Sequence, residues 1–280
     1  MKSLSINGVE IACIDRGSGP PVLLVHGFPL DHTMWAGQID VLSSQNRVIA
    51  PDLRGFGRSP VQGDKVTMEQ FADDLADLLD GLSIREPVVL CGLSMGGYIA
   101  FQFQRRHAKR LRGLILCDTR AAADAPEAAA ARRETADHVL REGLTLLIET
   151  MLPKLFAETT RREHPHVLER VRRVMRTTDP RGVAAALRGM AERHNMTAAL
   201  SEMGCPTLVI VGREDVVSTP AEMRGMAKAI PNSIYVEIPA AGHLSPLENP
   251  AAVNGAILEF LSSPAGGAKV ATATGRATDF

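Results

Sequence analysis

Ser94 stands in Gly92-Leu93-Ser94-Met95-Gly96, directly after the apolar run Val88-Val89-Leu90-Cys91 and at the head of a helix-like segment. In that strand-to-helix context, G-x-S-x-G forms a nucleophile elbow. The turn is so tight that the positions two before and two after the serine must lack bulky side chains, and glycine occupies both. Such a turn holds the Ser94 hydroxyl at the C-terminal edge of a sheet, above a helix N-terminus whose dipole favours developing negative charge. The plainer alternative is a serine capping an ordinary strand-to-helix turn; the context favours the elbow.

A serine hydroxyl is a poor nucleophile until a base takes its proton, so a histidine oriented by a carboxylate should follow in the chain. Of eight histidines, His243 in Ala240-Ala241-Gly242-His243 lies just beyond the last strand-like run, on a loop at the same sheet edge as Ser94. His107, His138, His164, His166 and His194 fall in helical or polar stretches and read as solvated. For the acid, Asp215 in Gly212-Arg213-Glu214-Asp215 follows the run Leu208 to Val211 and fits best. Glu214 is displaced by one residue on the turn. Asp118, after Leu114 to Cys117, is the rival, with a tether at the root of an insertion, shared with Arg120, as its structural reading. The tetrahedral oxyanion needs two N–H donors. Met95, immediately after the nucleophile, supplies one, and Phe28 in His26-Gly27-Phe28-Pro29 supplies the other, with His26 as a structural residue fixing that loop. Leu30 and Leu244 are expected as apolar walls for a small acyl or alcohol group, with core packing as the competing reading.

The elements that must position these groups follow from pattern. Leu4, Ile6, Val9 and Ile11 alternate around Asn7-Gly8, the signature of a tight hairpin. Short branched runs then recur at Val22 to Val25, Val48 to Ala50, Val88 to Leu90, Leu114 to Leu116, Leu208 to Val211 and Ile234 to Ile238. Helix-like segments, Met68 to Leu82, Tyr98 to Arg106 and Ala221 to Ala229, separate most neighbours. Alternation of this kind predicts a parallel sheet covered on both faces. It breaks from 121 to 197, where alanine, arginine and glutamate dominate and Pro126, Pro153, Pro165 and Pro180 are each expected at a first helical position, with Asp179 as an N-cap. Four or five short helices are predicted there. The domain reading is a core of 1–120 and 198–262, a helical cap over 121–197, and a disordered tail over 263–280, too poor in large apolar groups to offset the entropy of ordering.

Composition excludes several classes. The chain has 280 residues, 45% hydrophobic and 22% charged, with a formal charge of −1, so no global field favours nucleic acid or an anionic membrane surface. Nine arginines between Arg161 and Arg193 lack interleaved aromatics and read as solvated helix faces. Asp73, Asp74, Asp77 and Asp80, with Glu69, read as the polar side of a helix whose Phe71, Leu75, Leu78 and Leu79 face inward, and not as a metal site. Cys13, Cys91, Cys117 and Cys205 lack C-x-x-C spacing and read as buried thiols of a reducing compartment. The N-terminus lacks the unbroken apolar core of a signal peptide, and the most apolar stretch is too short and too glycine-broken to span a bilayer. A cytoplasmic location is therefore expected. No metal or cofactor is implied.

The order Ser94, Asp215, His243, with His26-Gly27-Phe28-Pro29, Asp52-Leu53-Arg54-Gly55-Phe56-Gly57-Arg58-Ser59 and Gly92 to Gly97, resembles the α/β-hydrolase superfamily over residues 1 to about 262. Within it, His26 to Asp31, Gly92 to Tyr98, Leu114 to Ala121 and Gly242 to Pro250 are most similar to small bacterial carboxylesterases. The resemblance implies an eight-stranded, mostly parallel sheet with a helical cap inserted after strand six, and hydrolysis of short-chain acyl esters by a Ser-His-Asp triad. Enol-lactonases of aromatic degradation and cofactor-free perhydrolases share the pattern and stand as alternatives. Serine at position 94 argues against the aspartate chemistry of related dehalogenases and epoxide hydrolases. A ligand receptor on the same fold is the alternative from another class, and the intact triad pattern argues against it. The expected partner is a small-molecule ester.

Overall fold

Asn7 and Gly8 adopt the left-handed φ values, 49° and 77°, that a two-residue hairpin turn demands. They join β1 (Lys2–Ile6) to β2 (Val9–Arg16) at the edge of an eight-stranded sheet, in a computed structural model that describes residues 1–263. The remaining strands are β3 (Pro21–Val25), β4 (Arg47–Pro51), β5 (Val88–Leu93), β6 (Leu111–Cys117), β7 (Thr207–Gly212) and β8 (Ser233–Ile238). Their spatial order is β1-β2-β4-β3-β5-β6-β7-β8, with β3 to β8 mutually parallel and β1 and β2 antiparallel. All five residues of β3, Pro-Val-Leu-Leu-Val, are buried, as expected where helices cover both faces. Because β4 and β5 lie on opposite sides of β3, the chain reverses direction across the sheet there. The crevice beyond the carboxyl ends of β3 and β5 is the place where such sheets bind ligands.

Helices pack on the two faces of the sheet: α1 (Ala36–Leu42), α2 (Met68–Gly81) and α3 (Met95–His107), followed after the insertion by α9 (Pro220–Ala229), α10 (Ser245–Glu248) and α11 (Pro250–Ser262). Thr67 caps α2 by accepting the Gln70 amide proton, and the helix buries Phe71, Leu75, Leu78 and Leu79. One of its acids departs from the solvated pattern. Asp74 is buried and makes a two-pronged ion pair with Arg54 at 2.7 and 2.8 Å. The other acids of that face meet cations or Asn7: Asp73 binds Arg106 and His107, and Asp80 binds Arg85 and Arg110.

Between β6 and β7 the chain forms α4 (Pro126–Glu142), α5 (Thr145–Leu155), α6 (Glu158–Glu163), α7 (Pro165–Thr177) and α8 (Pro180–Ala191). Pro126, Pro165 and Pro180 occupy first turns, and Asp179 accepts the Arg181 amide proton at 2.9 Å. Pro153 does not start a helix; it lies inside α5. The apolar face of α5, with Ile148, Leu152 and Leu155 buried, holds the segment helical, and the helix ends two residues beyond the proline. Helix α8 sits on the core backbone to backbone. A Cβ on Gly182 would lie 1.9 Å from the Gly55 carbonyl oxygen, and one on Gly189 would lie 1.8 Å from that of Val66, whose own amide donates to Ala185. Arg193, read from sequence as solvated, is buried and paired with Asp124 at 2.6 Å. The four cysteines are free thiols, three of them buried. The tail reading from residue 264 onward lies outside the described residues.

Candidate active site

The sharp turn at Ser94 is written into its neighbours. Ser94 itself sits at φ 53°, a strained conformation for a residue with a side chain. A Cβ on Gly92 would stand 2.3 Å from the Gly96 carbonyl, and one on Gly96 would stand 2.3 Å from the Val25 carbonyl. No side chain fits either place. The Ser94 amide donates to the Cys117 carbonyl at 2.9 Å, while the Met95 amide, at the first position of α3, has no partner within its own helix.

His243 reaches this turn from the segment after β8. Its Nε2 lies 2.9 Å from Ser94 Oγ and its Nδ1 lies 2.8 Å from Asp215 Oδ2. With Nδ1 protonated and donating to the carboxylate, Nε2 is free to accept the hydroxyl proton. Asp215 follows β7, and its other oxygen accepts the amides of Val217 and Ser218 at 2.7 and 2.9 Å, which fixes the carboxylate plane. His243 and Asp215 are buried, whereas Glu214 points to solvent. Asp118 takes a different part. It accepts the Gly212 amide at 2.7 Å and the Ser245 hydroxyl at 2.5 Å, and burial, reinforced by the nearby Asp215 charge, pushes its carboxyl well above the usual carboxylate range.

The loop after β3 completes the arrangement. His26 is fully buried; its Nε2 accepts the Leu53 amide and its Nδ1 donates to the Gly27 carbonyl, both at 3.0 Å. Burial lowers its pKa, so the ring is held neutral. Phe56 packs edge-on against both His26 and Phe28. Phe28, Ser94 and His243 face one cavity of about 380 Å³, walled by Tyr98 and by insertion residues including Met151, Leu155, Leu187 and Met190. Leu30 and Leu244 do not line it. Leu30 turns the other way, toward Met34 and the Val171 and Val174 side of α7, and Leu244 is buried at the turn into α10 with its amide donating to Leu155.

Sequence reasoning missed the walls because they come from helices whose faces only packing defines. It also missed the two cations there. Arg132 is tied to Asp124 at 2.6 Å, and Asp124 also holds Arg193, whose guanidinium lies 4.4 Å above the Tyr98 ring. Lys154 lines the cavity from an exposed position and has no ion-pair partner among the described residues. Among the described residues, none that lines the cavity carries a carboxylate side chain. One further cluster, Asp31, His32 and Asp52, brings three potential ligand atoms together. Its groups are engaged in loop contacts: Asp52 accepts from the His32 amide and ring and from the Arg58 amide, and Asp31 accepts from Thr33.

The sheet order and the Ser94 elbow at its switch point define a hydrolase of the α/β class, and the chain belongs to the family described as alpha/beta hydrolase fold, whose model matches residues 20–250. Among solved structures it is similar to a thermophilic esterase from Thermogutta terrifontis, at 51% identity and TM-score 0.91, covering 93% of this chain and 97% of that one. It is also similar to an enol-lactonase from Burkholderia xenovorans LB400, at 32% identity and TM-score 0.87, covering 94% and 100%. Among curated proteins, 3-oxoadipate enol-lactonase 1 of Acinetobacter baylyi is 29% identical over 248 residues, 89% of this chain and 88% of that one. No helix among the described residues is long and apolar enough to cross a membrane.

Proposed function

We propose that the protein is a serine hydrolase that cleaves small carboxylic esters through an acyl-enzyme on Ser94. The observation that carries this reading is the continuous hydrogen-bonded line from Ser94 Oγ through His243 to Asp215, at 2.9 and 2.8 Å, opening on a cavity with a mainly apolar wall. His243 takes the Ser94 proton as Oγ attacks the ester carbonyl. The amides of Phe28 and Met95 receive the oxyanion, a contribution of about 3 kcal/mol to the barrier for each donor. The imidazolium, stabilised by Asp215, protonates the leaving alcohol, and water releases the acid by the reverse route. The similarity to the Thermogutta esterase supports this substrate class.

The test is hydrolysis of p-nitrophenyl esters from acetate to dodecanoate by the parent and by Ser94→Ala. A short-chain maximum that disappears in the variant is the expected result, and turnover that survives it overturns the reading.

A second reading has its own observation. Lys154 places a positive charge in the wall with no ion-pair partner among the described residues, beside Arg132, whose charge Asp124 already meets, and this suits an ester or lactone bearing a carboxylate. The enol-lactonase relatives are in keeping with it. Turnover of an enol-lactone far above that of any alkyl ester would put this reading first.

A further inference from the structure

His243 is held at its two ring nitrogens by Ser94 and Asp215, but its backbone lies between β8 and α10, in neither strand nor helix. One carboxylate fixes that backbone. Glu248 Oε1 accepts the amide proton of Gly242 at 2.8 Å and that of Leu244 at 3.3 Å, the residues on either side of His243. Glu248 Oε2 accepts the Ala157 amide at 2.8 Å and the Thr160 hydroxyl at 2.7 Å, where α5 gives way to α6. The Leu244 amide also donates to the Leu155 carbonyl at 3.2 Å, and a Cβ on Gly242 would lie 2.7 Å from the Ala157 nitrogen. The base-bearing segment and the insertion therefore touch backbone to backbone, with this side chain between them.

Four donors converge on two oxygens, an arrangement that a carboxylate satisfies and an amide cannot. Glutamine has one acceptor oxygen, and its NH2, which the Thr160 hydroxyl could turn to accept, would leave the Ala157 N–H or the loop amides without an acceptor. Two residues of α5, Met151 and Leu155, wall the cavity in front of Ser94, and α5 ends two residues before Ala157. A group that binds both sides sets where Nε2 points and also where the substrate's wall stands.

We propose that Glu248 is a positioning residue for the Ser94 reaction, clasping the His243 backbone on one oxygen and the cavity-forming insertion on the other so that base and wall are held as one body. The proposal rests on the hydrolase reading above. It assigns Glu248 no contact with substrate; its effect passes through His243 and through the α5–α6 junction.

The experiment compares the parent, Glu248→Gln, Thr160→Val and Ser94→Ala on p-nitrophenyl acetate, with active sites counted by stoichiometric phosphonylation using a fluorophosphonate. The far-downfield proton resonance of the His243 Nδ1–H is recorded in each protein. For Glu248→Gln, kcat per counted site falls about 10- to 100-fold, the range that small misplacements of a catalytic group produce, while KM moves about threefold or less and the imidazole proton shifts or broadens. Thr160→Val removes one insertion-side donor, is nearly isosteric, and lowers kcat by a smaller factor of about 2 to 5.

A lowered melting temperature is shared with a purely structural role, so counted-site turnover and the imidazole signal decide. Turnover per site within about twofold of the parent in Glu248→Gln, with the imidazole proton in place, overturns the proposal and leaves the hydrolase reading intact. If Glu248→Gln does not fold, Thr160→Val decides, and parent-like kcat and imidazole signal there overturn it. Parent turnover that persists in Ser94→Ala overturns the hydrolase reading and the clasp with it.

Discussion

Asp118 holds the amide of Gly212, three residues before Asp215, at 2.7 Å, so the carboxyl that rivals Asp215 in sequence supports the strand end from which Asp215 reaches His243. The two acids divide the work by position. Asp215→Asn is expected to lower kcat by about 10³- to 10⁴-fold with little change in KM, because the amide no longer selects the productive tautomer. Asp118→Asn keeps an acceptor for Gly212 and is expected to retain turnover within about fivefold. Steady-state kinetics on one ester with both variants checks the assignment, and the reverse ranking would transfer the role to Asp118.

Ser94→Ala is expected to leave at most about one part in 10³ of the parent turnover. Folding is expected to be unaffected or improved, since alanine removes a hydroxyl that serves only His243 and leaves the strained φ in place. Circular dichroism melts alongside ester hydrolysis separate the two effects.

Lys154 is the cavity cation without an ion-pair partner among the described residues, which makes it the simplest probe of substrate charge. Lys154→Glu is expected to raise KM about 5- to 20-fold for half-esters of dicarboxylic acids, which lose an attraction and meet a repulsion. Neutral esters of the same length should change little. Equal effects on both classes would remove Lys154 from substrate recognition and would favour the neutral-ester reading.

Gly189→Ala tests how the insertion is seated. In an exposed helix interior the change stabilises by about 1 kcal/mol through helix propensity. Here the new Cβ would meet the Val66 carbonyl at 1.8 Å, so α8 must shift, and a loss of about 1 to 3 kcal/mol is expected. Urea denaturation gives the sign, and a gain in stability would show that this contact is not close in solution.

His26 supplies a pH dependence. Its folded pKa is lowered below the ordinary 6.5, chiefly by burial. The unfolded chain therefore takes up a proton that the folded one refuses. The stability His26 gives is fully present above 6.5 and is lost as pH falls toward the folded value, at about 1.4 kcal/mol per pH unit. His26→Gln keeps an acceptor for the Leu53 amide and removes the titration. The parent-minus-variant stability difference should shrink as the pH is lowered from neutral toward about 5, and a difference independent of pH would mean that His26 takes up its proton equally in the folded and the unfolded chain.

Much of the machinery was legible because it depends on local sequence. Gly92 and Gly96 flank Ser94 where two carbonyls leave no room for a side chain, and Asn7-Gly8 turns a hairpin where φ must be positive. The interior apolar runs became buried parallel strands for the same local reason, a composition that suits burial on both faces, whereas the run at Ile234 to Ile238 became an edge strand that leaves Ile234 exposed. Pro153 was misplaced because its neighbours, and not the ring, decide whether a helix runs through it.

The sequence by itself determined the class of fold, the order of Ser94, Asp215 and His243 along the chain, and the turns that present them. Only the tertiary structure decided which leucines miss the cavity and which insertion residues wall it. It also decided that Asp74 is buried against Arg54 and Arg193 against Asp124, and that Glu248 reaches the insertion at Ala157 and Thr160. These are contacts between residues tens of positions apart or more, or between faces of helices. Periodicity along one element reports that a face is buried, but not which distant group it is buried against.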